Sequence, residues 1–339
     1  MGEKKVNILV LGAGAIGLVV GGLLAKSGHR VIFLGRNRMI EPINCQGLVL
    51  EGIWGTHQVI HVKGYATLSE IKEKEGPCFD LAFLTVKAYD TESVLKEFTE
   101  TFPTPVPVIS LQNGLGNLEQ LIKAIGNDKA LAGSVHFEAE IPETGKVRVT
   151  AVYAEEMMVG GVGNGIEYNR VKQFAELFNR AGIPTLPTQE IEKYIWGQVL
   201  YHCALNGLGT ILEVNYGLLM EHESTRIVIS DLVKEVFQVL EKEGKKLDWL
   251  DAEAYLQELF GRLIPTTYDH YSSMLRDIQR KKRTEIDAFN GALVKIAHAH
   301  GFGVPNNWLI TKLVKVKEKI ALGIKDVYSE KSNLLTPVF

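Results

Sequence analysis

The chain has 339 residues, 46% hydrophobic and 23% charged, with a formal net charge of −3. That length exceeds one ordinary domain and suits two, each able to bury a core of its own. So small a net charge gives no broad basic surface for nucleic acid or an anionic membrane, which leaves a small-molecule partner as the default expectation.

The opening run, MGEKKVNILVLGAGAIG, is interrupted by Gly12 and Gly14 and leads to no small-residue cleavage site, so it does not read as a signal peptide. Val6 stands where a myristoylation signal needs Ser or Thr. No apolar stretch reaches the roughly 18 residues that a transmembrane helix requires. Cys45, Cys78 and Cys203 are far apart and lack metal-ligand spacing. Reduced thiols in a cytoplasmic protein, and no metal, are expected.

From Val6 to about Pro187 short apolar runs alternate with helical segments, which predicts a Rossmann-type, doubly wound parallel sheet covered by helices on both faces. Strands are expected at Val6 to Leu11, Val31 to Leu34, Leu81 to Val86 and Val106 to Leu111, all dense in Val, Ile, Leu and Phe. Helices are expected at Ala15 to Ser27 and Thr91 to Thr101. Lys146 to Ala151 and Met157 to Gly160 read as later strands, with a hairpin between them as one arrangement. A helix over Asn169 to Ala181 and a strand around Ile183 to Leu186 complete this half.

The first strand runs into Gly12, Ala13, Gly14, Ala15, Ile16 and Gly17, and a helix follows. GxGxxG alone is a weak pattern, but between a strand and a helix it reads as the phosphate-binding turn of a dinucleotide site, the alternative being a structural glycine turn. Gly12 permits the tight turn, Gly14 admits a pyrophosphate, Gly17 lets the helix pack on the strand, and the helix N-terminus offers N–H groups to the phosphates. An NAD site usually places Asp or Glu after the second strand to hold the ribose 2′-hydroxyl. Here Leu34 is followed by Gly35, Arg36, Asn37 and Arg38. Arg36 or Arg38 can pair with a 2′-phosphate, so NADP(H) is expected over NAD(H). The alternative is that both arginines are plain surface charges. The third and fourth strands deliver Lys87, and Gln112 with Asn113, to the same edge, where ligands of open α/β sheets bind; each could instead cap a following helix.

After Pro184 and Pro187 the pattern turns helical, and Ile191 to about Ile324 is read as an all-α domain. The expected division is 1–188 for the nucleotide domain, 189–325 for the helical domain, with the boundary near Gln189, and a loosely held tail over 326–339. Within EKYIWGQVLYHCALNG, Glu192 to Gly207, Gln198, His202 and Asn206 stand at i, i+4 and i+8 on an otherwise apolar helix. At about 100° per residue they fall within roughly 80° of one side. Such a stripe either satisfies itself against neighbouring backbone in a core or lines a site.

GAGAIG, the TVKAYDT of Thr85 to Thr91, the QNGLGN of Gln112 to Asn117, the SSMLRDI of Ser272 to Ile278 and the TEIDAFNG of Thr284 to Gly291 together resemble the ketopantoate reductase family, the 2-dehydropantoate 2-reductases. The resemblance runs from Val6 to about Glu318. It implies a Rossmann domain followed by a helical domain like that of 6-phosphogluconate dehydrogenase. It also implies NADPH-dependent reduction of a 2-oxo acid, ketopantoate or a related carbonyl compound, in pantothenate biosynthesis, by hydride transfer in a cleft between the domains. By the motifs, Asn113 matches the asparagine that meets cofactor and substrate, and Lys87 the lysine of the cofactor crevice. Ser273 matches the serine on the substrate carboxylate side, and Glu285 the glutamate near the nicotinamide and its ribose. Read from the residues alone, Thr284 would N-cap the last long helix and place Glu285 in its first turn, where a carboxylate suits the helix dipole.

The stripe is where the chain departs from the pattern. The family's helix has its proton-donor lysine two residues after the tryptophan, then asparagines four and eight residues later. Here Gln198 follows Trp196 at that place, His202 takes the next, and Asn206 alone matches. Hydride delivery to a ketone makes an alkoxide that must be protonated, and general acid help is worth about 10² to 10⁴ in rate. A glutamine amide donates a hydrogen bond but has no labile proton. The imidazole of His202 has one to give. Lys193, roughly 140° away around the helix, is a poor substitute. Two other readings stay open: a nucleotide-binding sensor with little or no catalysis, and a dehydrogenase of another hydroxy or amino acid. The sequence is silent on oligomeric state, a homodimer among the options.

Overall fold

The structure, a computed structural model, describes residues 5–152, 157–163 and 165–325. The expected tail, 326–339, lies outside the described residues. The chain divides into two compact units, 1–195 and 196–339.

In the first unit the chain runs β1 (Asn7–Leu11), α1 (Ala15–Lys26), β2 (Arg30–Leu34), α2 (Asn37–Gln46), β3 (Leu48–Gly52), β4 (His57–Val59), β5 (Lys63–Tyr65), α3 (Leu68–Glu75) and β6 (Leu81–Leu84). It continues through α4 (Thr91–Thr101), β7 (Val108–Ser110), α5 (Asn117–Ile125), β8 (Ala130–Ser134), β9 (Phe137–Glu143), β10 (Lys146–Val152), β11 (Met157–Gly160), α6 (Tyr168–Arg180) and β12 (Thr185–Pro187). An eight-stranded sheet has the order β12-β11-β8-β7-β6-β1-β2-β5. It is parallel from β5 to β8, while β11 pairs antiparallel with β8.

Period-two alternation decides its two faces. Ile8 and Val10 point into a core with α1 and α6, whereas Leu9 and Leu11 join Ile32, Leu84, Leu95 and Leu121 on the other side, against α3, α4 and α5. All of these strand residues are buried, the mark of a sheet covered on both faces.

A second sheet, β4-β3-β10-β9, was not foreseen. It corrects the expected hairpin, because β10 pairs with β9 and β3, whereas β11 belongs to the large sheet. Helix α1 passes between the two sheets at close range. A Cβ on Gly21 would come within 2.6 Å of Phe33 of the large sheet, and one on Gly22 within 2.8 Å of Leu48 of the small one. That explains why AIGLVVGGLLAK is apolar all round rather than on one stripe.

Among its described residues the second unit has helices and no strand. Its elements are α7 (Ile191–Leu212, entered from the first unit), α8 (Tyr216–Glu221), α9 (Glu223–Lys242) and α10 (Ala252–Glu258). A π-helical stretch, Leu259–Leu263, leads to α11 (Ile264–Thr266), then α12 (Ser273–Gln279), a 3₁₀ turn Ile286–Ala288, α13 (Asn290–Ala299) and α14 (Pro305–Leu322). Buried polar groups join these helices. Glu235 of α9 accepts from the backbone N–H of Asn306 (2.8 Å) and Asn307 (2.9 Å), satisfying donors at the start of α14. Asn290 donates to Asn307 Oδ1 (2.9 Å) and to the Cys203 carbonyl of α7 (3.0 Å).

Candidate functional site

The glycine loop opens where β1 ends. Gly12 has φ +127, a conformation L side chains rarely adopt, and a Cβ there would stand 2.7 Å from Val86 N. Thr85, just past β6, donates its hydroxyl to the Gly12 carbonyl (2.7 Å). The Ala13 N–H donates to the Leu34 carbonyl (2.8 Å), tying the loop to the end of β2. Gly17 is equally constrained, since its Cβ would lie 2.2 Å from the Gly12 carbonyl oxygen.

Gly14 is different. It is the N-cap of α1 at φ −85, and a Cβ there would meet only the Thr85 carbonyl oxygen, at 3.7 Å. The protein itself does not need glycine at this place, whereas a ligand resting on the loop would. Ala15, Ile16 and Gly17 follow as the first turn of α1, which carries no acidic side chain, so the N-terminus keeps its affinity for an anion. These residues fit a dinucleotide pyrophosphate.

The ends of β6 and β7 are clamped together by Gln112, expected at this edge but not in this role. Gln112 donates from Nε2 to the Val86 carbonyl (2.7 Å) and to Thr91 Oγ1 (2.8 Å), and accepts from Ser110 Oγ (3.0 Å) at Oε1. Thr91 donates onward to Asn117 (3.1 Å), whose amide donates to the Asn113 carbonyl (3.0 Å). This fixes the backbone of Asn113 between the clamp and Gly114, at φ +91. Its side-chain Oδ1 is buried and has no hydrogen-bond partner among the described residues. A buried acceptor left unpaired costs about 1 to 3 kcal/mol, and a ligand donor would relieve it. Lys87, half-buried, heads a 3₁₀ turn, Ala88–Asp90, beside the same edge. At the end of β2, Arg36 is the N-cap residue of α2; Arg36 and Arg38 are exposed, and neither guanidinium meets a carboxylate among the described residues.

In the second unit the polar stripe lies on α7 as expected. Gln198 and His202 are each 9% exposed and Asn206 is 2% exposed. Asn206 Nδ2 lies 3.1 Å from His202 Nδ1, and the Tyr216 hydroxyl donates to Asn206 Oδ1. The His202 ring stands edge-on to Phe289 at 5.1 Å, which brings the loop that carries Glu285 alongside α7. The stripe continues one turn further than was foreseen. Thr210 donates to the Asn206 carbonyl (2.7 Å) and reaches Ser272 Oγ (3.1 Å). Ser272 is buried and N-caps α12, so Ser273, exposed as the first residue of that helix, stands next to the inner end of the stripe. The neighbouring Cys203 is fully buried, and burial pushes its thiol up, which rules it out as a ready nucleophile.

The expected placing of Glu285 is corrected. Thr284 does not cap a long helix: its N–H and hydroxyl both go to Glu318 of α14, at 2.7 and 2.8 Å. Glu285 instead precedes the 3₁₀ turn Ile286–Ala288, and α13 starts only at Asn290. Its place is set by the Glu318 anchor rather than by a helix dipole. Thr210 continues the same i+4 spacing and went unrecognised although the period reaches it, whereas Tyr216 and Ser272 lie beyond α7, where no periodic signal links them to the stripe.

Residues 8–163 match the family model described as Ketopantoate reductase PanE/ApbA, and residues 190–318 match that described as Ketopantoate reductase PanE/ApbA C terminal. The 2-dehydropantoate 2-reductase of Aquifex aeolicus is 35% identical over 312 residues, covering 92% of this chain and 97% of that protein. That of Pyrococcus horikoshii is 35% identical over 319 residues, covering 94% and 100%. A crystal structure of a PanE/ApbA family ketopantoate reductase from Ralstonia eutropha matches with a TM-score of 0.82 at 29% identity, over 93% of this chain and 99% of that one.

Proposed function

The chain belongs to the ketopantoate reductase family, a family of nicotinamide-dependent oxidoreductases, and from that premise we propose that it is an NADPH-dependent reductase of a 2-oxo acid, ketopantoate or a close relative, in which His202 takes over the proton-donating task of the family's lysine. The observation that carries the proposal is the unpaired, buried Asn113 Oδ1 at the carboxyl edge of the sheet, an acceptor prepared for a ribose hydroxyl or a carboxamide.

Bound NADPH supplies a hydride to the carbonyl carbon. The residues divide the remaining work. Gly12 to Gly17 and the α1 N-terminus hold the pyrophosphate. Arg36, with Arg38 beside it, pairs with the 2′-phosphate, a charge-assisted contact that NADH cannot make. Lys87 and Asn113 take the nicotinamide end of the cofactor, with Glu285 toward the ribose. Ser273 receives the substrate carboxylate.

As the carbonyl carbon gains the hydride, its oxygen becomes an alkoxide and takes a proton from His202. Gln198, standing where the lysine would be, offers that oxygen a hydrogen bond without a proton. Asn206 stands beside His202, its Nδ2 3.1 Å from Nδ1.

The test is NADPH oxidation by the purified chain across a panel of 2-oxo acids that includes ketopantoate. Turnover of at least one 2-oxo acid to its 2-hydroxy acid is the expected result. Tight NADPH binding with no turnover would favour the sensor reading. Oxidation of a secondary alcohol or opine, with poor reduction of 2-oxo acids, would favour the dehydrogenase.

A further inference from the structure

We infer that Tyr216 and Asn206 form a fixed relay that holds the neutral His202 ring as its Nε2–H tautomer, so that Asn206 serves here to orient a histidine rather than to bind substrate. The inference deepens the proposed function and rests on it only for the use to which the Nε2 proton is put.

Tyr216, the first residue of α8, is 1% exposed. A phenol buried to that degree has to place its O–H on an acceptor inside the protein, and the acceptor it reaches is Asn206 Oδ1. With Oδ1 accepting from the phenol, the amide NH₂ is the end turned toward His202, and Nδ2 lies 3.1 Å from Nδ1.

An amide nitrogen only donates. Nδ1 must therefore accept, and a neutral imidazole that accepts at one nitrogen carries its proton on the other. The proton that His202 can offer is the one on Nε2. Nδ1 takes a proton only if the amide turns over, so that Tyr216 no longer donates to Oδ1.

The rest of the surroundings make turning costly. Asn206 is 2% exposed, its own carbonyl is occupied by Thr210 (2.7 Å), and the His202 ring is held edge-on by Phe289 and by Tyr201 at 5.5 Å. Tyr216 is fixed in turn, since its N–H donates to the His270 carbonyl (3.0 Å) and its ring packs on that histidine at 5.0 Å. The relay thus crosses the turn between α7 and α8 and sets which nitrogen of one ring is the donor, the kind of outer-layer contact that fixes a working histidine.

The test is nitrogen NMR of the full chain labelled with ¹⁵N at histidine, without substrate or cofactor and at alkaline pH, where the ring is neutral. A His202→Gln spectrum identifies the His202 signals among the nine histidines. The expected wild-type spectrum has Nε2 protonated and Nδ1 bare. Asn206→Asp replaces the donor with a carboxylate that still accepts from Tyr216, and the ring should invert to Nδ1–H. Tyr216→Phe frees the amide, and a mixture of the two tautomers should appear.

A wild-type ring in the Nδ1–H form, or an Asn206→Asp ring unchanged from wild type, overturns the relay. A Tyr216→Phe ring that stays wholly Nε2–H overturns the part given to Tyr216. If either variant fails to fold, the wild-type spectrum alone still decides the tautomer. Since that reading needs no turnover, it separates the two claims: a His202→Gln variant with full activity would remove the proton donor and leave the tautomer standing.

Discussion

Gly14→Ala should weaken cofactor binding about tenfold or more while leaving the fold intact, and Gly17→Ala, only three positions away, should instead destabilise the first unit. The structure sets the two magnitudes. At Gly14 the added methyl meets a single atom at 3.7 Å, ordinary contact, and φ −85 suits any L residue. Alanine at an N-cap loses about 0.5 to 1 kcal/mol against glycine, and reduced freedom of the unfolded chain returns about as much, so stability should stay within about 1 kcal/mol of wild type. The same methyl occupies the space through which a pyrophosphate approaches the loop, and a loss of about tenfold or more in NADPH affinity is expected.

At Gly17 the methyl would stand 2.2 Å from a backbone carbonyl and 2.6 Å from Thr85 Oγ1. Helix α1 would have to lift from β1, at a cost of about 1 to 3 kcal/mol or more. Denaturant midpoints and fluorescence titration with NADPH separate the effects. A Gly14→Ala protein that binds NADPH as wild type does would refute the assignment of this loop to the pyrophosphate. One that is clearly destabilised would refute the reading of Gly14 as free of protein constraint.

Arg36→Ala should weaken NADPH by about tenfold or more and leave NADH nearly unchanged, and should remove more of the preference than Arg38→Ala; equal dissociation constants for both cofactors in wild type would sink the claim. Acid should weaken the first unit through Glu75: burial raises its carboxyl, but hydrogen bonds from Tyr65 and Arg30 and the charge of Lys63 outweigh this and lower it below its ordinary 4.5. A lowered folded value means a contribution complete above 4.5 and lost as pH falls through the folded value. Glu75→Gln should flatten that acid limb of the unfolding midpoint. Tyr65 runs the other way, pushed up from 10.0 to about 12 by burial and then by its hydrogen bond to Glu75, so its contribution is full below 10.0 and lost as pH rises through about 12; Tyr65→Phe should remove the alkaline limb. Glu235→Ala leaves the first N–H groups of α14 without their acceptor and should cost about 3 kcal/mol in thermal or urea unfolding.

What was legible in the sequence is what depends on neighbours along the chain. β1, the glycine loop and α1 announce themselves because turn, strand and helix follow without a break, and the stripe of Gln198, His202 and Asn206 follows from helical period alone. The second sheet could not be read so. β4 has three residues, and β3 finds its parallel partner only in β10, about a hundred residues later. β8, ALAGS, is built of residues with little strand preference and is a strand because β7 and β11 flank it. Asn113 was found because it follows a strand, whereas the clamp of Gln112 was not, since its acceptors come from another loop. Glu285 was misplaced for the same reason: Glu318, not the local sequence, decides what Thr284 does.

The central claim is that this chain reduces a 2-oxo acid although Gln198 stands where the family's lysine is expected, because His202 supplies the proton. The most direct measurement is single-turnover reduction of the best 2-oxo acid by NADPH, comparing wild type with His202→Gln at saturating cofactor. The account predicts that the variant binds NADPH as tightly as wild type and loses about 10² to 10⁴ in the rate of hydride transfer. An unchanged rate would contradict it and leave His202 as a binding or packing residue.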